Sequence, residues 1–184
     1  VRIAVITPTI PERADMLEEC KASVRAQTLQ PVEHLIELDE KRTERCGPQL
    51  NRMAKRTDCE WLATLADDDL MLPHHLETLA AHTNEADVIY SYCEVTGRGW
   101  SPNTPYDPDA DIPQIPATAL IRRSLWEEVR WGKEQRAEDN EFWRLCQQKG
   151  ARFFCVPEIT WVYRFHGHNK SLFASHLDFW EGVP

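Results

Sequence analysis

The stretch Trp61-Leu62-Ala63-Thr64-Leu65-Ala66-Asp67-Asp68-Asp69 runs from an apolar segment straight into three adjacent carboxylates, and Leu70-Met71-Leu72-Pro73 follows it. A short unbroken apolar run bounded by turn-forming residues predicts a core strand. Three neighbouring carboxylates repel one another and are costly to desolvate, so their place at the end of such a strand asks for a cation. Carboxylate oxygens suit hard divalent ions such as Mg²⁺ or Mn²⁺, which commonly arrive with phosphate. The triplet therefore points towards nucleotide chemistry. The plain alternative is a solvated turn whose aspartates cap the next helix.

Upstream, Ile3-Ala4-Val5-Ile6 reads as a buried strand that ends at Thr7-Pro8. Residues 12 to 27 place Leu17, Cys20 and Val24 at helical spacing, with acidic residues early and Lys21 and Arg25 late, as the helix dipole favours. Glu33-His34-Leu35-Ile36-Glu37-Leu38 reads as a second strand stopping at Asp39, and a short helix is expected near residues 48 to 57. Downstream, Pro73 opens a helix reaching about His82, and Asp87 to Tyr92 forms a further strand. This alternation implies right-handed β-α-β units: an α/β fold with a mainly parallel central sheet flanked by helices. Ligands of such sheets bind at the carboxyl ends of the strands. Thr7-Pro8-Thr9, Asp39 and the aspartate triplet all fall at ends of that kind.

Residues 97 to 116 hold Pro102, Pro105, Pro108, Pro113 and Pro116, with Gly97 and Gly99, and read as a long loop of functional character. Trp100 and Tyr106 within it either stack on a sugar ring or anchor the loop. Beyond it come Ala117 to Ile121, a helix from about Arg123, and a helix from about Glu138 to Lys149 closed by Gly150. Two late strands are expected, Phe153 to Val156 and Thr160 to Phe165.

A chain of 184 residues favours one domain with one sizeable core. The net charge of −9 argues against a nucleic-acid binder, because phosphate neutralisation needs clustered Lys and Arg. No apolar run is long enough to span a bilayer, and no signal peptide is visible from Val1 onward. Cys20, Cys46, Cys59, Cys93, Cys146 and Cys155 form no C-x-x-C pair and read as reduced core residues, which suits a cytoplasmic protein.

Several segments, taken in order, resemble a family 2 glycosyltransferase of the GT-A (Rossmann-like) fold over most of the chain. Ile6-Thr7-Pro8-Thr9-Ile10-Pro11-Glu12-Arg13 is similar to the family's first strand and donor-binding turn. Asp39 matches the acidic residue after the second strand, and Gly47-Pro48-Gln49-Leu50-Asn51-Arg52 is similar to the G-P-A-R-N segment. Asp67-Asp68-Asp69 resembles the D-x-D region, Glu138-Asp139 with Phe142-Trp143 the E-D motif, and Tyr163-Arg164-Phe165-His166 with Asn169 and Ser171 the closing Y-R-x-H-x-x-N-x-S. Two positions depart from the pattern. Ala66 stands where members often carry the leading Asp, and Leu50 replaces the Arg of the A-R-N triplet. The chain is also short for the family, which implies the lack of an anchoring or long acceptor-binding tail.

The resemblance implies a metal-dependent, inverting transfer of a sugar from a nucleotide-diphosphate sugar, UDP above all, to a carbohydrate or other hydroxyl-bearing acceptor. Residues 1–96 would form the nucleotide-sugar half and 117–184 the acceptor and catalytic half, with the proline-rich loop between them. Thr7, Pro8, Thr9, Glu12, Arg13, Asp39 and Asn51 would line the donor site, with Asp39 accepting the N3–H of uracil. Asp69 would hold Mn²⁺ or Mg²⁺, and Asp67 or Asp68 the ribose or a second metal position. His166 would complete the shell or bind a phosphate oxygen, with His168, His74 and His75 as competitors. Arg13, Arg42, Arg45 and Arg52 flank this site, each either a phosphate partner or a solvated charge. Asp139 would be the general base and Glu138 would orient it or the acceptor; the plain alternative is an acidic first helical turn.

Other classes compete. A nucleotidyltransferase shares the layout, but it wants a glycine-rich basic loop after the first strand, and Thr7 to Arg13 contains no glycine. A phosphohydrolase places its D-x-D after the first strand, not here. A nucleotide-sugar-binding module without catalysis is argued against by the intact Glu138-Asp139 pair.

Overall fold

The computed structural model describes residues 1–41, 43, 46–96, 103, 105–111, 113, 115–132 and 138–166, the Glu138 side chain excepted. Arg42, Arg45, Trp100, His168, Asn169 and Ser171, singled out above, lie outside the described residues.

Strand β1 (Ile3–Thr9) is buried along almost its whole length, as its apolar, β-branched start dictates. It lies between two parallel partners, β2 (Glu33–Leu38) and β3 (Trp61–Thr64). A 3₁₀ turn over Pro11–Arg13 leads into α1 (Ala14–Arg25), whose inward face carries Cys20 and Val24. Helix α2 (Cys46–Lys55) buries Gly47, Gln49, Leu50, Met53 and Ala54. After β3 come β4 (Leu70–Met71), α3 (His75–Ala80) and β5 (Val88–Thr96). Then follow β6 (Leu120–Arg122), α4 (Arg123–Val129), α5 (Glu138–Gln148) and β7 (Phe153–Arg164).

The strands form one sheet in the order β2-β1-β3-β6-β5-β7-β4. Strands β1, β2, β3, β5 and β7 run one way, whereas β6 and β4 oppose their neighbours. The mainly parallel sheet is thus present, with β6 inserted in reverse between β3 and β5. Because side chains alternate along a strand, each face has its own core. On one face Ala4, Ile6, Leu62 and Tyr90 meet Met53 of α2, Trp126 of α4 and Phe142 of α5. On the other, Val5, Trp61 and Ile89 meet Cys20 of α1 and Leu76 and Leu79 of α3. Leu50, the departure from the A-R-N pattern, lies in the first of these cores.

The two late strands expected from the sequence are one. Strand β7 pairs with β5 from Val88↔Phe153 to Thr96↔Arg164, with register shifts around Tyr92 that absorb the Pro157 region as a bulge. In the proline-rich stretch Tyr106 stacks on Phe153 with ring centroids 4.5 Å apart, so it anchors the loop. Asn103 brackets Cys93, accepting its N–H at 2.7 Å and donating to its carbonyl at 2.8 Å. All six cysteines are free. Among the described residues, no helix is long and apolar enough to cross a membrane.

Candidate functional site

Three chain segments meet at the carboxyl edge of the parallel strands. The main-chain N–H of Asp39, just past β2, donates to the Thr9 carbonyl at 2.9 Å, and that of Leu65 donates to the Ile6 carbonyl at 3.2 Å. The ladder therefore runs on past the strands and holds their ends side by side. Beyond β3 the chain reverses in a turn closed by Asp69 N–H donating to the Ala66 carbonyl at 3.1 Å. That turn presents Asp67, Asp68 and Asp69, and all three are buried.

Buried carboxylates demand partners, and here the partners belong to the protein. The Thr9 hydroxyl donates to Asp67 Oδ2 at 2.7 Å. Arg13 Nη1 lies 2.7 Å from Asp67 Oδ1 and 2.9 Å from Asp68 Oδ2. His166 Nε2 approaches Asp68 Oδ2 at 3.1 Å. The Arg164 main-chain N–H donates to Asp69 Oδ1 at 3.0 Å, and its guanidinium holds the Asp68 carbonyl, Glu19 and the Met16 carbonyl. Burial first, and then the charge of Asp68, push the Asp69 carboxyl well above its ordinary range. Burial opposes the charge on Arg13, but Asp68 and then Asp67 outweigh it and raise that guanidinium above its ordinary value.

Thr9, Arg13, Asp67, Asp68, Asp69 and His166 are thus brought together. Thr7 is buried one pleat earlier and bonds His34 Nε2 at 2.9 Å, while Pro8 is half-buried beside it. Glu12 is exposed on the 3₁₀ turn. Asp39 lines a cavity of about 310 Å³ with Leu38, Glu40, Lys41, Thr43 and Arg52. Arg52 pairs with Glu37 at the side of that cavity. His74 and His75 turn elsewhere: His74 faces Glu158 at 3.4 Å, and buried His75 bonds the Thr160 hydroxyl at 2.6 Å through Nδ1.

Asn51, expected at the donor site, makes three bonds within the protein. Its amide donates to the Trp131 carbonyl at 2.7 Å and accepts from Trp131 N–H at 3.1 Å and Trp126 Nε1 at 3.0 Å. These bonds tie α2 to the segment after α4. Asp139 stands half-buried in the first turn of α5. Arg164 is the residue whose weight the sequence did not reveal; its only signal was its place in Tyr163-Arg164-Phe165-His166.

The chemistry implied for the triplet is that of a divalent ion, and in the space between Asp67 and Asp68 the donor set does not fit one, because Arg13 fills it. Both oxygens of Asp67 are bonded, Asp68 Oδ2 is shared by Arg13 and His166, and Asp69 Oδ1 takes a main-chain N–H. Among the described residues, no group of three or more His, Cys, Asp or Glu side chains is arranged to hold a metal. Of the shell expected from Asp67, Asp69 and His166, Asp67 is bridged to Asp68 by Arg13, while His166 approaches Asp68.

No family model matches the chain, and no curated protein matches it in sequence. Solved structures do match in shape. S. aureus TarS 1–349 in complex with UDP-GlcNAc has a TM-score of 0.74 at 16% identity, over 93% of this chain and 61% of that one. The same fragment in complex with UDP gives 0.69 at 17%, over 90% and 61%. A longer TarS structure gives 0.71 at 16%, over 90% and 37%. This chain therefore spans 37% to 61% of the length of the structures it matches. At such identity the likeness establishes architecture alone: a GT-A (Rossmann-like) fold, shared with that structure.

Proposed function

We propose that the chain binds a UDP-sugar along the edge formed by Thr9, Asp39 and the aspartate turn, and transfers the sugar to an acceptor hydroxyl with inversion. The observation that carries this reading is the convergence of three strand ends on one buried acidic cluster beside a cavity, in a fold shared with a protein crystallised with UDP-GlcNAc and with UDP. The order of the six sequence motifs extends the reading to family 2.

In this reading the cavity beside Asp39 receives the base, and the Asp39 carboxylate accepts a base N–H. Uracil carries such a donor. Asp139 takes the proton of the acceptor hydroxyl as that oxygen attacks the anomeric carbon from the face opposite the diphosphate. The new carbon–oxygen bond forms as the bond to the diphosphate oxygen breaks, and the electron pair leaves with UDP. Glu138, its neighbour at the start of α5, orients the acceptor. No protein nucleophile is required.

A thermal-shift panel of nucleotide sugars tests the donor. Stabilisation follows RT ln(1 + [L]/Kd), so the true donor raises the midpoint above that reached with bare nucleotides of other bases. A panel in which no uridine nucleotide shifts the midpoint refutes the donor assignment. Asp139→Asn tests the base: nucleotide binding is retained while transfer falls by about 100-fold or more. Unchanged transfer removes Asp139 from the mechanism.

A further inference from the structure

Arg13 bridges Asp67 and Asp68, two of the three carboxylates of the turn at which the sequence leads one to expect a metal. A single nitrogen, Nη1, makes both of its ion pairs, 2.7 Å to Asp67 Oδ1 and 2.9 Å to Asp68 Oδ2. Among the described residues Nε and Nη2 have no hydrogen-bond partner, and the side chain keeps 20% of its surface exposed. Both carboxylates are nearly sealed, at 3% and 8% side-chain exposure. They therefore hold the guanidinium through one nitrogen, and its Nε and Nη2 donors are not used by the cluster. A guanidinium is permanently charged, and its planar fork matches two phosphate oxygens.

Three further bonds occupy oxygens of the cluster beside Arg13. Thr9 occupies Asp67 Oδ2, the Arg164 main-chain N–H occupies Asp69 Oδ1, and His166 shares Asp68 Oδ2. A divalent ion entering between Asp67 and Asp68 would have to expel Arg13 against like-charge repulsion.

We propose that Arg13, aimed by Asp67 and Asp68, is the resident cation of this site: it binds the diphosphate of the donor directly, and donor binding needs no divalent metal. This inference rests on the nucleotide-sugar reading for the identity of its ligand, but the placement of the cation does not. In a transfer step Arg13 would face the negative charge that accumulates on the leaving diphosphate, as the cation of such a site must.

The test compares wild type, Arg13→Ala and Arg13→Lys, with folding checked by circular dichroism. In the first arm Mn²⁺ alone is added and thermal midpoints are read. Wild type is expected not to shift, whereas Arg13→Ala, in which Asp67 and Asp68 lose the charge they share, gains stabilisation by Mn²⁺. In the second arm UDP is titrated in EDTA and in Mn²⁺. Wild type is expected to bind equally in both, and Arg13→Ala to lose about tenfold or more in EDTA and regain part of it with Mn²⁺. Arg13→Lys keeps the charge without the fork and falls between them; should Arg13→Ala not fold, it carries both arms. Wild-type stabilisation by Mn²⁺, or UDP affinity that rises about tenfold with Mn²⁺, overturns the proposal. Equal UDP affinity in wild type and Arg13→Ala does so too. If wild type binds no uridine nucleotide at all, the donor reading fails, and the Mn²⁺ arm alone still decides whether arginine has replaced the ion.

Discussion

At the scale of single residues, the acidic turn is held by bonds that can be removed one at a time. The Thr9 hydroxyl and Asp67 Oδ2 are 2.7 Å apart and both residues are buried. Thr9→Val keeps the shape, removes the donor and leaves one carboxylate oxygen unpaired. The expected loss is about 1–3 kcal/mol, read as a lower urea midpoint at unchanged slope, with Thr9→Ser close to wild type. The sequence had marked both Thr9 and Asp67 as parts of a donor site, because each follows a strand. It did not show that they bond each other. A contact between residues 58 positions apart leaves no periodic trace. The same holds for Arg13, legible as a basic residue near the first strand but not as the counter-ion of a turn 54 residues away.

Among elements, α2 and α5 are coupled through aromatic stacking. Asn51 of α2 grips the main chain of Trp131, and Gly47 allows the approach, since a Cβ there would stand 2.6 Å from the Gly132 carbonyl oxygen. The Trp131 ring stacks on Phe142 at 4.5 Å, and Phe142 lies one turn beyond Asp139 on α5. Asn51→Ala strips partners from buried donors and an acceptor. It is expected to cost about 2–4 kcal/mol of stability and to let the start of α5 shift. UDP affinity, measured by calorimetry, should then stay near wild type while the transfer rate falls. A matching loss of UDP affinity would instead place Asn51 in contact with the donor. Helices and the longer strands were legible from hydrophobic spacing. Strand β4, only Leu70–Met71, was not, because two residues carry no period. Strand β7 was read as two pieces because Pro157 lies within it, where the bulge tolerates a residue without an N–H.

For the molecule as a whole, two shielded histidines make acid a threat. Burial first, then His74, lowers the His75 pKa from 6.5 to about 3. Burial first, then Lys21 and Arg25, lowers that of His34 to about 4. The unfolded chain takes up these protons once the pH falls below 6.5 and the folded chain does not, so stability is full above 6.5 and drains away towards 3 for His75. At pH 5 the loss from His75 is about 2 kcal/mol. Asp69, raised by folding, works in the opposite sense, since protonating it relieves a buried charge. The difference between wild type and His75→Asn isolates the histidine: the variant's urea midpoint should fall less between pH 7 and pH 5 (roughly the window in which the unfolded imidazole titrates). An identical fall would show that His75 titrates normally.

The strand order has one more outcome. Strand β6 comes after the proline-rich stretch, yet it is threaded between β3 and β5, which come before it. Strand β4, from the early part, pairs in the sheet with the late strand β7. Severing the polypeptide between residues 96 and 117 would leave each fragment with raw, unpartnered strand borders. The proline-rich stretch is a place to lengthen or ornament the chain, not a place to divide it.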